Sequence, residues 1–127
     1  VEAFSSLPRI DGLMNRAVQL DPGFHYAGPH LFLGAYYGGR SRMLGGDPDK
    51  ARNHFEQALK ITGGKYLLVS LLYAKTYAVQ NQDRGLFIAQ LKKVLEASYD
   101  VLPEQRLANQ IAKRKAAALF GAIDELF

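Results

Sequence analysis

The 127-residue chain contains no cysteine. This absence excludes disulfides, thiolate nucleophiles and cysteine metal ligands, although it does not fix the cellular compartment. Long apolar runs are absent too, because the richest stretch, 66–73, is interrupted by Ser70 and followed by Lys75. No run therefore reaches the roughly 18 residues of a membrane-spanning helix. An apolar fraction of 48% with 22% charged residues is ordinary for a globular protein and excludes a disordered chain.

Strong charge of one sign is also lacking. Sixteen Lys and Arg against twelve Asp and Glu give a net charge of +4, and 113–115 is the single basic run. Nucleic-acid binding needs a concentrated basic face, so we expect no nucleic-acid partner and interpret the run as a solvated part of a C-terminal helix. The chain starts at Val1 without a leader, and we expect it to be the C-terminal part of a longer precursor.

Apolar residues recur throughout with helical spacing, and no segment alternates with a period of two. Asp47 before Pro48 is typical of a helix start, and the glycines at 63 and 64 are typical of a helix end. The sequence predicts an all-α protein. The predicted helices cover about 13–20, 29–42, 48–62 and 65–80, and a fifth begins after Asp83 with apolar residues up to Leu95. The last helix begins near Pro103 and extends to Leu126 if Gly121, its one helix breaker, does not interrupt it.

The helices carry a repeat typical of tetratricopeptide proteins. Leu33, Gly34 and Tyr37 match the first helix of a unit, and the second helix is matched by Ala51, Phe55 and Ala58. We predict a single tetratricopeptide-like stack of antiparallel helix hairpins over 1–127, with a long C-terminal helix. Ala17 and Ala58 lie 41 residues apart, more than the usual period of about 34. Two inserted segments, 23–29 and 38–46, account for the excess, and we expect them to gather on one functional surface.

Catalytic and metal-binding motifs are missing. His25 and His30 are five residues apart without an acid between them, and His54 has no carboxylate one turn away. No serine lies in a nucleophile elbow, and no paired glycines lead into a phosphate-binding loop. We therefore predict no catalytic residue, no metal, no cofactor and no enzymatic activity.

Aromatic residues are concentrated in one part of the chain. Phe24, Tyr26, Phe32, Tyr36 and Tyr37 fall within fourteen residues, and Arg40 follows. Neighbouring residues on a helix point about 100° apart, so the adjacent tyrosines cannot both face the same helix contact. Such rings suit a binding surface or core packing, and Arg40 could hold a carboxylate or simply solvate a loop.

Several segments together resemble the T component of TRAP-associated transporters. The similarity covers nearly the whole chain from about Ala17. The similar segments are 20–26 and its continuation 28–30, Leu33-Gly34, Tyr36-Tyr37, 45–47, 50–55, Gln82-Asp83-Arg84 with Phe87, 106–109, Lys113-Arg114 and 123–127. Relatives often carry prolines after Arg40, where this chain has Ser41-Arg42-Met43, so the resemblance does not fix the shape of that loop.

The resemblance implies a periplasmic, non-enzymatic, tetratricopeptide-like protein. Proteins of this kind often have a lipid anchor. Such proteins work beside the substrate-binding (P) subunit of a tripartite ATP-independent periplasmic transporter. It also implies self-association, so we expect a homo-oligomer, with a trimer as the specific hypothesis. Membrane attachment is expected only through a lipoprotein anchor outside this chain.

We therefore predict a scaffold that assists the substrate-binding subunit or delivers a small apolar or organic-acid ligand. The rings would supply apolar contact, while His30 and Arg40 would orient a polar end. The alternative is a generic tetratricopeptide module that grips a peptide tail and has no role in transport. It would need converging cationic or amide side chains, yet Arg52, Lys75, Asn81 and Asn109 are dispersed. The predicted binding residues are Phe24, His25, Tyr26, His30, Tyr36, Tyr37 and Arg40.

Overall fold

The computed structural model describes residues 12–21 and 23–127, and within these ranges it contains helices and no strand. The all-α prediction is confirmed. Short 3₁₀ turns lie at Arg42–Leu44 and Pro103–Gln105. The helices are α1 (12–20), α2 (Phe24–Gly38), α3 (Pro48–Thr62), α4 (Leu67–Leu72, continued by a π-helical segment Tyr73–Ala78), α5 (Arg84–Glu96), α6 (Arg106–Gly121) and α7 (Ile123–Leu126).

Two helices start at aspartates, as predicted. The Asp47 carboxylate accepts a hydrogen bond from the backbone N–H of Lys50 at 3.2 Å, and Asp83 accepts one from that of Leu86 at 3.0 Å. Both bonds satisfy a backbone donor that has no partner inside the helix. The cap residues therefore fix where α3 and α5 begin.

Helices α2 and α3 form a close antiparallel hairpin. Gly34 faces the ring of Phe55, and Gly38 faces Ala51 one turn further along. A Cβ added at Gly34 would lie 2.9 Å from the Phe55 ring, which is closer than side chains pack. The missing side chain at Gly34 therefore lets the two helix backbones approach, as the repeat pattern predicted.

Helix α4 runs parallel to α2 through the middle of the protein. Tyr66, just before α4, stacks on Tyr26, and Tyr77 near its far end contacts Gly38. Between these points Tyr73 is fully buried and stacks on Phe55 with ring centroids 4.7 Å apart. A helix that is apolar on nearly every side is expected in such a central position. The π-helical turn at Tyr73–Ala78 was not predicted.

Helix α6 follows the direction of α4 and packs against α5. At one end the Asn109 amide donates to the Lys65 carbonyl and accepts from the N–H of Leu67, both at 2.9 Å. At the other end Gln82 donates to the carbonyl of Leu126 at 3.2 Å. The helices thus alternate in direction from α2 to α6, but the tetratricopeptide-like register itself stays a prediction.

The C-terminal helix is interrupted at Gly121 and does not run unbroken to Leu126. Helix α6 ends at Gly121 after 16 residues, or about 24 Å, and Ala122 adopts a turn conformation before α7. The turn returns the chain end to the core, where the Phe127 ring meets Phe87 at 4.9 Å. Burial of that ring therefore accompanies the break in the helix.

The two inserted segments do not gather on one surface, contrary to expectation. Segment 23–29 forms the beginning of α2, whereas 38–46 follows from its last residue, so the two segments lie at opposite ends of the helix. About 15 Å of right-handed helix separates Gly28 from Gly38. Helix α2 also begins before Pro29 and ends at Gly38, not at Arg42.

Replacing Phe55 with alanine should destabilise the protein by about 3–5 kcal/mol, because a fully buried ring leaves a cavity between three helices. Urea denaturation would measure the loss. Phe120→Ala, at a half-buried ring on α6, is the control and should cost less. An unchanged melting temperature for Phe55→Ala would contradict this packing.

Candidate functional site

The predicted binding residues are spread along α2. His25 and Tyr26 lie in its first turn, His30 lies in the middle, and Tyr36 and Tyr37 lie near its end. Arg40 follows the helix. The side chain of Phe24 lies outside the part that the structure describes. The candidate site is therefore two surface regions joined by a buried centre.

The first turn of α2 is left-handed. His25, Tyr26 and Ala27 have φ angles of 49°, 56° and 59°, a conformation that costs a non-glycine residue roughly 1–2 kcal/mol. Packing offsets this cost, because Ala27 is fully buried and the Tyr26 ring stacks on Tyr66 at 5.2 Å. The right-handed helix resumes near Pro29, where a proline loses no hydrogen bond.

A cleft of about 300 Å³ lies between α1 and this turn. It is lined by Met14, Ala17, His25, Gly28 and Pro29. The lining is apolar apart from one imidazole, and the volume is at the lower limit for small-molecule sites. The cleft could hold a small apolar molecule whose single polar group faces His25.

Two histidines face each other at the buried centre of the α2–α3 hairpin. The Nδ1 atoms of His30 and His54 are 2.9 Å apart, and the residues are 6% and 9% exposed. One imidazole must donate and the other accept, so the bond requires a deprotonated Nδ1 on one ring. Burial lowers the pKa of His30, which favours the neutral form.

Sequence reasoning missed His54, because the search for a partner considered only its own helix. The antiparallel pairing of Gly34 with Phe55 places position 54 within about a turn of the middle of α2. The predicted hairpin register puts position 54 opposite position 35, about 7.5 Å along α2 from His30. The available signal was therefore that the two histidines lie on facing helices within about one and a half turns of each other.

Stacked rings connect the histidine pair to the surface. His54 lies parallel to Tyr37 with centroids 6.0 Å apart, and Tyr37 meets the edge of Tyr36 at 5.2 Å. Tyr37 is buried, whereas Tyr36 is half-buried. The guanidinium of Arg40 lies 4.2 Å from the centre of the Tyr36 ring, a cation–π contact. Five of the seven predicted residues therefore lie in one of two places. His30, Tyr36, Tyr37 and Arg40 belong to this network of rings, and His25 lines the cleft beside α1.

The α2–α3 connection holds Arg40 in place. Gly46 donates its N–H to the carbonyl of Ser41 at 2.8 Å and lies directly on the carbonyl of Arg40, where a side chain would not fit. Nη1 of Arg40 is buried and has no hydrogen-bond partner among the described residues. Beside it, Met43 and Leu44 are 96% and 67% exposed. A cation, a ring and exposed apolar side chains are therefore displayed together.

Two of the four residues considered for a peptide clamp are occupied by bonds inside the protein. Asn109 is fully buried and bonded to the start of α4, while Asn81 donates to the Tyr77 carbonyl within its own helix. Arg52 is exposed, and the neighbouring Tyr73 and Tyr77 side chains raise its pKa. Lys75 is exposed as well and makes no hydrogen bond to another described residue.

The part of the chain that the structure describes contains neither a metal-binding cluster nor a membrane-spanning helix. Within 12–21 and 23–127, no three His, Cys, Asp or Glu side chains form a cluster that could hold a metal ion. None of the described helices combines the length and the apolar character needed to cross a bilayer.

The geometry of the site does not by itself identify the protein family, but a comparison with known protein families does. The family model for the TRAP transporter T-component matches residues 1–127. The chain belongs to this family. The T-component assignment confirms the resemblance seen in the sequence and associates the chain with TRAP transport. A comparison with curated proteins gives no match.

The histidine pair predicts a loss of stability at acidic pH. Because the folded state holds the pKa of His30 below its ordinary value near 6.5, the unfolded chain takes up the proton first as the pH falls. The stabilisation is present above that value and is lost below it. The free energy of unfolding in urea should therefore decrease between about pH 7.5 and about pH 5.5.

The variant His30→Gln should show a smaller decrease, since it removes the buried imidazole that resists protonation. His25→Gln is the matched control and should keep the wild-type pH dependence, because His25 is exposed. An identical pH dependence in His30→Gln and the wild type would show that the pair does not sense pH.

Proposed function

We propose that the chain is a non-enzymatic, tetratricopeptide-like accessory protein that docks on the substrate-binding (P) subunit of its transporter. The family assignment supports the association with TRAP transport. The alternating directions of α2 to α6 support the tetratricopeptide-like arrangement, because stacked units of this class repeat antiparallel helix pairs.

The proposed docking surface, here named the Tyr36 surface, comprises Phe32, Tyr36, Arg40, Met43 and Leu44. The observation that carries the proposal is the Arg40 guanidinium held over the Tyr36 ring beside exposed apolar side chains. Tyrosine and arginine are enriched at the energetic centres of protein interfaces. The Arg40 side chain is half-buried, and the exposed part of its guanidinium would pair with a carboxylate of the partner.

The cleft beside α1 supports the delivery of a small apolar or organic-acid ligand. His25 lines this cleft and would contact the polar end of such a ligand. His30 lies buried against His54, away from the cleft lining. We assign it the role of positioning Tyr37 through the stacked rings instead of contacting ligand. Tyr26 supports the turn by its stacking on Tyr66.

The proposal places the protein in the periplasm, attached to the membrane through a lipid anchor outside this chain, and assembled as a homo-oligomer of three copies. These features rest on the resemblance to the family. The generic peptide-gripping alternative is less well supported, because Asn81 and Asn109 are each bonded inside the protein.

Binding to the purified substrate-binding subunit of the cognate transporter tests the docking surface. Tyr36→Ala with Arg40→Ala should weaken binding by about tenfold or more, the loss typical of removing an interface centre. The chain offers a matched control in Tyr99 and Arg106, which form a second tyrosine–arginine contact at 5.0 Å on the α5–α6 connection. Tyr99→Ala with Arg106→Ala should bind like the wild type.

Binding would be measured by calorimetry on variants whose circular dichroism and melting curves match the wild type. Unchanged affinity in the Tyr36 and Arg40 variant would remove the Tyr36 surface from the proposal. Equal loss in both variants would show that the docking surface is not localised to the end of α2.

A further inference from the structure

A second groove, separate from the Tyr36 surface, lies between α4 and α6. It has a volume of about 310 Å³. Its apolar lining consists of four leucines and one alanine: Leu68, Leu71, Leu72, Leu119 and Ala118. Two exposed lysines, Lys75 from the π-helical segment and Lys115 from α6, line the same groove.

Both ammonium groups are available to a ligand. Neither Lys75 nor Lys115 makes a hydrogen bond or an ion pair to another described residue. Lys113, two residues before Lys115 on α6, differs, since its ammonium donates to the carbonyls of Val94, Leu95 and Ala97 at the end of α5. Lys113 therefore serves the fold, whereas the two groove lysines have no structural partner.

The helices that border the groove are free of acidic residues. The stretch 67–78 contains Lys75 and no Asp or Glu, and α6 contains Arg106, Lys113, Arg114 and Lys115 without an acid. Two lysines close together, with no carboxylate on either helix, create a positive potential at the groove. This charge pattern favours an anion as the occupant.

The rest of the lining restricts the anion to an amphiphile. Leucine and alanine side chains offer no hydrogen-bond partner to a sugar, a nucleotide or a hydrophilic diacid, and burying such polar groups unpaired is costly. An alkyl chain instead gains free energy when it leaves water for an apolar groove. A carboxylate at one end of that chain would meet the lysines.

We propose that the groove between α4 and α6 binds an alkyl monocarboxylate, with the chain on the leucines and the carboxylate between Lys75 and Lys115. The proposal shares no residue with the Tyr36 surface or with the cleft beside α1. Each can therefore fail without the other. It adds to the proposed function a site for a stated class of small molecule.

Octanoate is the probe, titrated into the full chain and followed by calorimetry and by leucine methyl NMR. We expect one saturable site, with shifts concentrated at Leu68, Leu71, Leu72 and Leu119. Affinity should fall as salt is added, because exposed charges are screened. Octan-1-ol, which has the same chain without the charge, should bind about tenfold or more weakly.

Matched variants separate the groove from the general charge and surface of the protein. Lys75→Gln with Lys115→Gln should weaken octanoate binding by about tenfold, whereas Lys60→Gln with Lys92→Gln, an equal change of net charge at exposed sites elsewhere, should not. Ala118→Phe should fill the groove and abolish binding. Ala117→Phe, one residue away and outside the lining, should leave it unchanged.

Three outcomes would overturn the proposal. The first is equal affinity for octanoate and octan-1-ol, or equal affinity in the two lysine variants, which would show that the cations are not used. The second is the absence of shifts at the groove leucines. The third is a change of oligomeric mass in Ala118→Phe without octanoate binding to the wild type, which would identify the groove as a contact between copies of the chain.

Discussion

The ring of Phe55 lies on the backbone of Gly34, and this contact determines how closely α2 and α3 approach. A side chain at Gly34 would collide with the ring, so the hairpin depends on a glycine opposite a large aromatic. The other face of the ring stacks on Tyr73, which joins the hairpin to α4. One buried side chain therefore connects three helices. The order of packing along the rest of the chain follows from it.

The α2–α3 hairpin determines where the functional regions lie. His30 and His54 meet because α2 and α3 are held at close approach, and the stacked Tyr37 and Tyr36 carry that geometry to Arg40. The left-handed turn at the start of α2 is held by Ala27 and Tyr26, which pack against the same core. The groove between α4 and α6 shares no lining residue with these contacts. The protein thus presents separate surfaces, which suits an accessory component that meets a partner and a small molecule.

Much of the fold could be predicted from local signals. Two helix starts could be predicted, one at Asp47 before Pro48 and one at Asp83. In both cases the capping side chain satisfies a backbone donor only a few residues away in the sequence. The Gly34 and Phe55 pair could be predicted because the repeat couples a small residue to a large one. Gly121 marked where the last helix could break, but the break itself was not predictable, since it depends on Phe127 reaching Phe87, a contact forty residues apart in the chain. The left-handed turn was equally hidden, because none of its three residues is glycine.

The candidate site was predicted less completely, since its contacts cross between helices. Tyr36 and Arg40 were singled out from composition alone, and the structure places them together on the surface. His54 was dismissed because its partner lies 24 residues away on the facing helix. Lys75 was interpreted as a dispersed charge and Lys115 as part of a solvated basic run, because the two come together only through the packing of α4 on α6. Local sequence patterns predict the helices well, but they predict poorly which residues of different helices come into contact.

The most direct test of the account is the stability of Gly34→Ala. Because the added methyl group would strike the buried Phe55 ring, the account predicts a loss of about 1–3 kcal/mol in the free energy of unfolding, measured in urea. Gly121→Ala is the matched control, since a Cβ there meets no atom within 4 Å, and alanine should be neutral or stabilising. A Gly34→Ala protein as stable as the wild type would contradict the close approach of α2 and α3.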